Sequence, residues 1–284
     1  MPSIQDYRDF YANFLVKSEG SSNQQLIAAF ASVERERFVG KGPWQIFIGS
    51  GYIPTVSDDP TLLYQDILVG LSTDRGINNG QPSLHARCLA ACDPKPGETV
   101  VHVGAGTGYY TAILATLVGS TGRVIAYEIE ADLAELAHSN LRHLPNVNVL
   151  SASATEAQIP KANVIYVCAG AVNPPDTWLD ALTIGGRLAF PLTPTNEYGC
   201  MLLVTRRTET EYAASSILRV AFIPCVGAQD GATSHALATA MRTSPLSEIR
   251  SLRRGTSPDK SAWHVGATWW LSTEAESNPS AREQ

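Results

Sequence analysis

Apolar positions along the chain alternate between short unbroken runs and longer stretches with helical spacing. Five runs predict strands: TVVHV, GRVIAYEI, NVNVLSAS, ANVIYVCAG and GGRLAFPL. Between and around them, SLHARCLAAC, YYTAILATLVG, EADLAELAHSNLRHL and PPDTWLDAL carry the helical pattern. CMLLVTRRT and SSILRVAFIP read as a closing pair of antiparallel strands. Strands alternating with helices imply βαβ units, so residues 99–227 read as one open, mostly parallel, doubly wound α/β sheet. The unbroken VIYV fits a strand covered on both faces.

The flanks differ in rhythm. Residues 4–40 read as helical, with Ser22 capping a helix over NQQLIAAFASV. Residues 41–76 are rich in turns and aromatics and are expected to be irregular. Beyond residue 227, SHALATAMRTSPLSEIRSLRRG reads as helical, SAWHVGATWWLS as strand, and TEAESNPSAREQ as a frayed tail. Three parts follow: 1–76 on the substrate side, 77–227 as a ligand-binding core, and 228–284 as a C-terminal extension. No internal repeat is present.

The chemistry begins at GAGTG, where Gly104, Gly106 and Gly108 sit between a strand and a helix. Glycines there permit a tight turn and close approach of the backbone to a ligand. A dinucleotide fingerprint needs its third glycine one position later, and no Gly-Lys-Ser/Thr follows for a Walker loop. The glycine spacing likewise disfavours a dehydrogenase. Packing alone is the plain alternative for the three glycines. Glu128, about twenty residues on, ends the second strand and is placed to accept hydrogen bonds from two ribose hydroxyls; a solvated strand-end carboxylate is the plain alternative. Loop and carboxylate together indicate a nucleoside ligand that need not carry a pyrophosphate.

Composition narrows the class. The chain has 284 residues, 44% of them apolar, enough for a sizeable core with an appendage. A formal charge of −6 gives no general attraction for polyanions, so nucleic acid is not expected as a partner. The five cysteines are scattered and do not form a disulfide scaffold. Cys88 and Cys92 with His85 read either as a metal half-site or as a packed helix face; no second ligand cluster follows, and no metal is expected. The first residues lack a signal-peptide pattern, and no window holds eighteen apolar residues, so a cytoplasmic protein without a membrane span is expected.

TVVHVGAGTGYYTAILA is similar to the first motif of class I S-adenosylmethionine-dependent methyltransferases, in particular the protein-L-isoaspartate (D-aspartate) O-methyltransferases. ERERFV, INNGQPSLHARCLAA, TIGGRLAFPL and RVAFIPCVG resemble further segments of that family, in order, over about residues 25–227. The resemblance implies S-adenosyl-L-methionine as cofactor. Gly104, Gly106 and Thr107 would line its methionine and ribose side, Glu128 would take the ribose hydroxyls, and Ile129 would pack near the adenine. Ser153 and Ala154 would lie beside the adenine amine, and His85 matches a cofactor-side histidine. Asn78, Asn79 and Gly80 would form the catalytic loop near the transferred methyl. The implied acceptor is a carboxylate on a peptide, a protein or a small molecule.

Some positions depart from the family pattern. The family serine two residues before Pro82 is Gly80, which offers no hydroxyl. Its threonine is Asn78 and its isoleucine Asn79; three acidic positions are His102, Ser153 and Asn163. These losses motivate a second reading, a non-catalytic binding or assembly module that keeps the fold. Trp263, Trp269 and Trp270 read as a packed apolar layer, a homodimer contact or a pocket wall. Arg250, Arg253 and Arg254 read as a solvated basic face or an anion-attracting patch.

Overall fold

The structure, a computed structural model, describes residues 2–275. The chain divides into two compact units, residues 1–152 and residues 153 onward.

The first unit opens with α1 (Ile4–Ser18), whose Ser3 and Asp6 form a capping box. In α2 (Gln24–Ser32) the cap is Asn23, not Ser22. Asn23 immediately precedes the first helical residue, and its side chain accepts from the Leu26 amide at 3.0 Å. The two helices bury Tyr11, Leu15 and Val16 and Leu26, Ile27 and Phe30. Residues 41–76 are largely irregular but carry β1 (Gln45–Phe47) paired with β2 (Tyr52–Pro54), and β3 (Gly70–Ser72), which pairs with β4 (Ile77–Asn78). α3 (Pro82–Cys92) starts with proline, whose missing amide costs nothing in the first turn. It turns Cys88 and Cys92 into the interior, the packed-face arrangement.

The expected alternation follows: β5 (Thr99–Val103), α4 (Tyr109–Val118), β6 (Arg123–Glu128), α5 (Ala131–Leu141) and β7 (Val147–Ser151). The three strands are parallel, with Val103 opposite Tyr127 and Tyr127 opposite Leu150. α4 is buried at nine of its ten positions, which is why its sequence is apolar all round.

In the second unit β8 (Ala162–Val167) runs parallel to the later strand β9 (Leu182–Leu192), with α6 (Asp176–Ala181) between them in sequence. β10 (Gly199–Arg206) and β11 (Glu211–Val220) are the closing antiparallel pair, with β11 starting four residues before its expected run and ending before Pro224. The helix expected over 234–255 stops early. α7 (Gly231–Thr243) ends before Pro245, which can neither donate an amide hydrogen nor continue the turn. Ser251–Arg254 form β12 instead, held between β11 and β14 (Trp269–Ser272), which in turn pairs with β13 (Ala262–Val265). Two flanking strands override the helix-like spacing of that stretch.

Trp263, Trp269 and Trp270 are all buried, so the packed-layer reading describes them. The basic stretch beside them is internally paired. Arg254 contacts Asp176 at 3.0 Å and Asp180 at 2.7 Å, and the Arg253 guanidinium lies 4.9 Å from the Trp270 ring centre. Of the expected frayed tail, residues 276–284 lie outside the described residues. Among the described residues no helix is long and apolar enough to cross a membrane.

Candidate cofactor and acceptor site

The parallel register of β5 and β6 brings the residues just past their C-terminal ends together. The amides of Gly104 and Ala105 both donate to the Tyr127 carbonyl, at 2.9 and 3.1 Å. Gly106 (φ +56°) and Gly108 (φ +100°) then reverse the chain into α4, in backbone conformations that side chains rarely adopt. At Gly108 a Cβ would also lie 2.7 Å from Leu141 Cδ1, so a side chain there would require the end of Leu141 to shift.

Glu128 closes the turn from the other side. Its Oε2 accepts the Gly106 amide at 2.6 Å, and its Oε1 accepts the Glu130 amide at 3.0 Å. Each oxygen keeps acceptor capacity beyond that one bond. The side chain is buried, and burial raises its pKa against the lowering effect of those backbone bonds. Ile129 follows, half exposed. The Thr107 hydroxyl donates to the Phe38 carbonyl at 2.5 Å, so it anchors the turn to the segment carrying ERERF and only its backbone faces a ligand role.

Asn78, Asn79, Gly80 and His85 meet in one cluster. The Asn78 side chain accepts the Gly80 amide at 2.9 Å. Asn79 is buried, and its Oδ1 accepts from the Val69 amide and from Arg35, both at 3.2 Å. Its oxygen therefore braces the loop, while its Nδ2 is buried with no hydrogen-bond partner. Gly80 has φ +73°, and a Cβ there would sit 2.3 Å from His85 Nε2. The His85 ring stacks on Tyr110 with centroids 3.6 Å apart. Burial, with His102 and Arg35 nearby, pushes the His85 imidazole down to about 3. His102 is likewise pushed down to about 3 by burial and shares a 2.8 Å hydrogen bond with Thr111. Both rings are neutral at pH 7 and serve as hydrogen-bonding and packing groups. Ser153 and Ala154 belong to the second unit, where Ser153 Oγ bonds Thr155 Oγ1 at 2.8 Å and the Ala154 carbonyl accepts from Trp178 at 2.9 Å.

Arg35 is the residue sequence reasoning passed over. It is fully buried, and its two terminal nitrogens donate to the carbonyls of Leu63, Gln65 and Ile67 and to Asn79. The guanidinium lies 6.0 Å from the Tyr11 ring centre and 5.9 Å from that of Tyr109, within cation–π reach. Its signals are the family-like segment ERERFV and a charge three residues before an aromatic anchor, in a run that also holds the exposed Arg37.

The sequence model of the protein-L-isoaspartate(D-aspartate) O-methyltransferase family matches residues 14–230. The chain belongs to that family. One relative, Protein-L-isoaspartate O-methyltransferase 1 of Geotalea uraniireducens, is 28% identical over 230 residues, covering 80% of this chain and 95% of its own. Another, from Aeropyrum pernix, is 34% identical over 160 residues, which are 53% of this chain and 61% of that relative. A solved structure of a protein-L-isoaspartate O-methyltransferase superposes with a TM-score of 0.64 at 24% identity, covering 83% of this chain and 69% of that one. A Plasmodium falciparum chain described as belonging to the same enzyme class, solved with S-adenosyl-L-homocysteine, gives 0.62 at 18% identity, covering 78% and 98%. These two structures show the fold, the Rossmann-like class I methyltransferase architecture of flanking helices on a mixed sheet. The family is one of S-adenosylmethionine-dependent methyltransferases.

Proposed function

We propose that the chain is an S-adenosylmethionine-dependent carboxyl O-methyltransferase, acting on an isoaspartyl-like acid. The observation that carries the reading is the pairing of Glu128 with the Gly106 amide. It fixes a buried carboxylate at the lip of a glycine turn with acceptor capacity left for two hydroxyls. An adenosyl sulfonium fits these residues. Backbone at Gly104, Gly106 and Thr107 permits close approach, Glu128 accepts from the ribose, and the exposed Ile129 offers an apolar surface to the adenine.

When bound, the cofactor supplies an electrophilic methyl group on a sulfonium. A carboxylate acceptor is already ionised at neutral pH, since its ordinary pKa is about 4. No strong base is required, which suits a site whose buried histidines are both neutral. The chain's own residues contribute positioning: Arg35 and Asn79 hold the loop that bears Gly80, and His85 fills the space beside it.

Transfer of labelled methyl to a peptide tests the reading. An isoaspartyl peptide is expected to gain a base-labile ester while its aspartyl counterpart does not. Cofactor binding with no transfer to any acid would instead favour the non-catalytic module, for which Gly80, with no hydroxyl, is the motivation.

The raised pKa of Glu128 gives a pH prediction. Gripping the ribose needs the ionised carboxylate, so affinity for S-adenosylhomocysteine should decline as pH falls toward a protonation point above the ordinary carboxylate range. For the cofactor-free protein the sign reverses. The folded carboxyl holds its proton more tightly than the unfolded one, so its contribution to stability falls as pH rises through that window and is level above it. Calorimetric titration from pH 8 to 5 checks this; Glu128→Gln should flatten the profile.

A further inference from the structure

Outside the cofactor turn, the most conspicuous unexplained surface is the β1–β2 hairpin with the residues up to Val56. From Gly42 to Ser57 there is no charged side chain. Phe47, Ile48, Ile53 and Val56 are exposed at 37, 54, 44 and 94%. Yet the hairpin is firmly seated. Ile46 packs on the cluster of Val39, Trp44, Leu63 and Val69, the Phe47 amide donates to Leu68 at 3.0 Å, and Thr55 is tied to Trp44 in both directions. A rigid strand pair that displays apolar side chains to water is a recognition surface waiting for a partner.

We propose that this hairpin docks the methyl acceptor, and that the acceptor is a polypeptide whose carboxylate is flanked by apolar side chains. The inference rests on the carboxyl methyltransferase reading above and deepens it. Two observations choose this occupant. First, the hairpin is continuous with the cofactor turn. The Tyr52 ring lies 3.2 Å from where a Cβ on Gly70 would be, and the next residue, Leu71, reaches within 3.7 Å of the corresponding point on Gly106. Second, the hairpin has a free edge. β2 itself, Tyr52–Pro54, spans roughly 10 Å of extended chain, the length of about three peptide residues. β2 pairs with β1 and with no other strand among the described residues; its outward-facing main-chain groups are those of Tyr52 and the Pro54 carbonyl, so the edge offers a docked segment a short set of hydrogen bonds and the exposed side chains supply the rest of the contact. Without charges, the surface discriminates against acceptors whose carboxylate stands among charged neighbours.

The test uses the full chain with S-adenosylhomocysteine and two fluorescent eight-residue peptides. Each carries a central isoaspartyl residue, flanked by Val, Leu and Phe in one and by Ser, Gln and Lys in the other. Fluorescence anisotropy is expected to show the apolar peptide bound roughly tenfold more tightly. The triple variant Phe47→Ser, Ile53→Ser, Val56→Ser alters exposed residues and should keep S-adenosylhomocysteine affinity while losing that preference. Equal binding of the two peptides, a preference that survives in the variant, or a wild-type dimer that the variant abolishes would each overturn the proposal. Binding is read without turnover, so the two claims fail separately. Preferred binding with no methyl transfer sinks the activity and leaves the docking surface; transfer without preference does the reverse.

Discussion

Restoring a serine at Gly80 is expected to lower stability and activity, not to raise activity. The backbone there has φ +73°, which costs a non-glycine residue about 1–2 kcal/mol. The new Cβ would also meet His85 Nε2 at 2.3 Å, and forcing a group into a packed site costs about 1–3 kcal/mol more. Gly80→Ser should therefore cost about 3 kcal/mol, or roughly 6–12 °C in melting temperature for a chain of this size. His85 is held by its stack on Tyr110, so it cannot simply turn away. Removing the ring relieves the clash but not the backbone strain. Gly80→Ser with His85→Ala should be less destabilised than the two single changes summed, by more than 1 kcal/mol. Thermal melts of the four proteins measure the coupling. Additive effects, or a single Gly80→Ser variant as stable as the parent, would mean that the loop and His85 are not matched as described.

Arg35→Met should cost about 3–5 kcal/mol. Methionine fills most of the volume, but the carbonyls of Leu63 and Ile67 lose their Arg35 donor, and the Gln65 carbonyl and Asn79 Oδ1 are left with the Ile67 and Val69 amides alone. Each buried acceptor left without a partner costs about 1–3 kcal/mol, and relaxation of the loops recovers part of the sum. Arg35→Lys should recover only a fraction, because one ammonium cannot reproduce two nitrogens reaching residues 63–67 and Asn79 at once. In urea titrations the midpoint should fall with little change of slope. A loss below 1 kcal/mol would show that Arg35 does not organise this loop.

What could be read in advance follows from where the information sits. The βαβ rhythm was legible because β8 is nearly all buried and the strands of residues 99–128 are mostly so; such strands become apolar runs in the sequence. The glycine turn and the placement of Glu128 beside it are legible because both depend on local spacing. β12 was not: RSLRRG follows a helical stretch, and its strand form comes from pairing with residues distant in sequence. The resemblance puts Thr107 on the cofactor side, while its hydroxyl is bound to a carbonyl 69 positions away. Asn79 and Arg35 likewise look like ordinary polar residues until the fold buries them against each other. Local spacing thus shows the glycine turn with Glu128 beside it, while the packing around Asn79 and Gly80 depends on contacts that no window of sequence contains.

Cofactor affinity in Glu128→Ala tests the central claim most directly. Calorimetric titration with S-adenosylhomocysteine at pH 8 should show binding to the parent chain. In the variant, losing a charged acceptor worth about 1.5–3 kcal/mol should weaken binding on the order of 10- to 100-fold. Equal affinity in the two proteins, or no heat from the parent at millimolar ligand, would contradict a nucleoside held between this turn and this carboxylate.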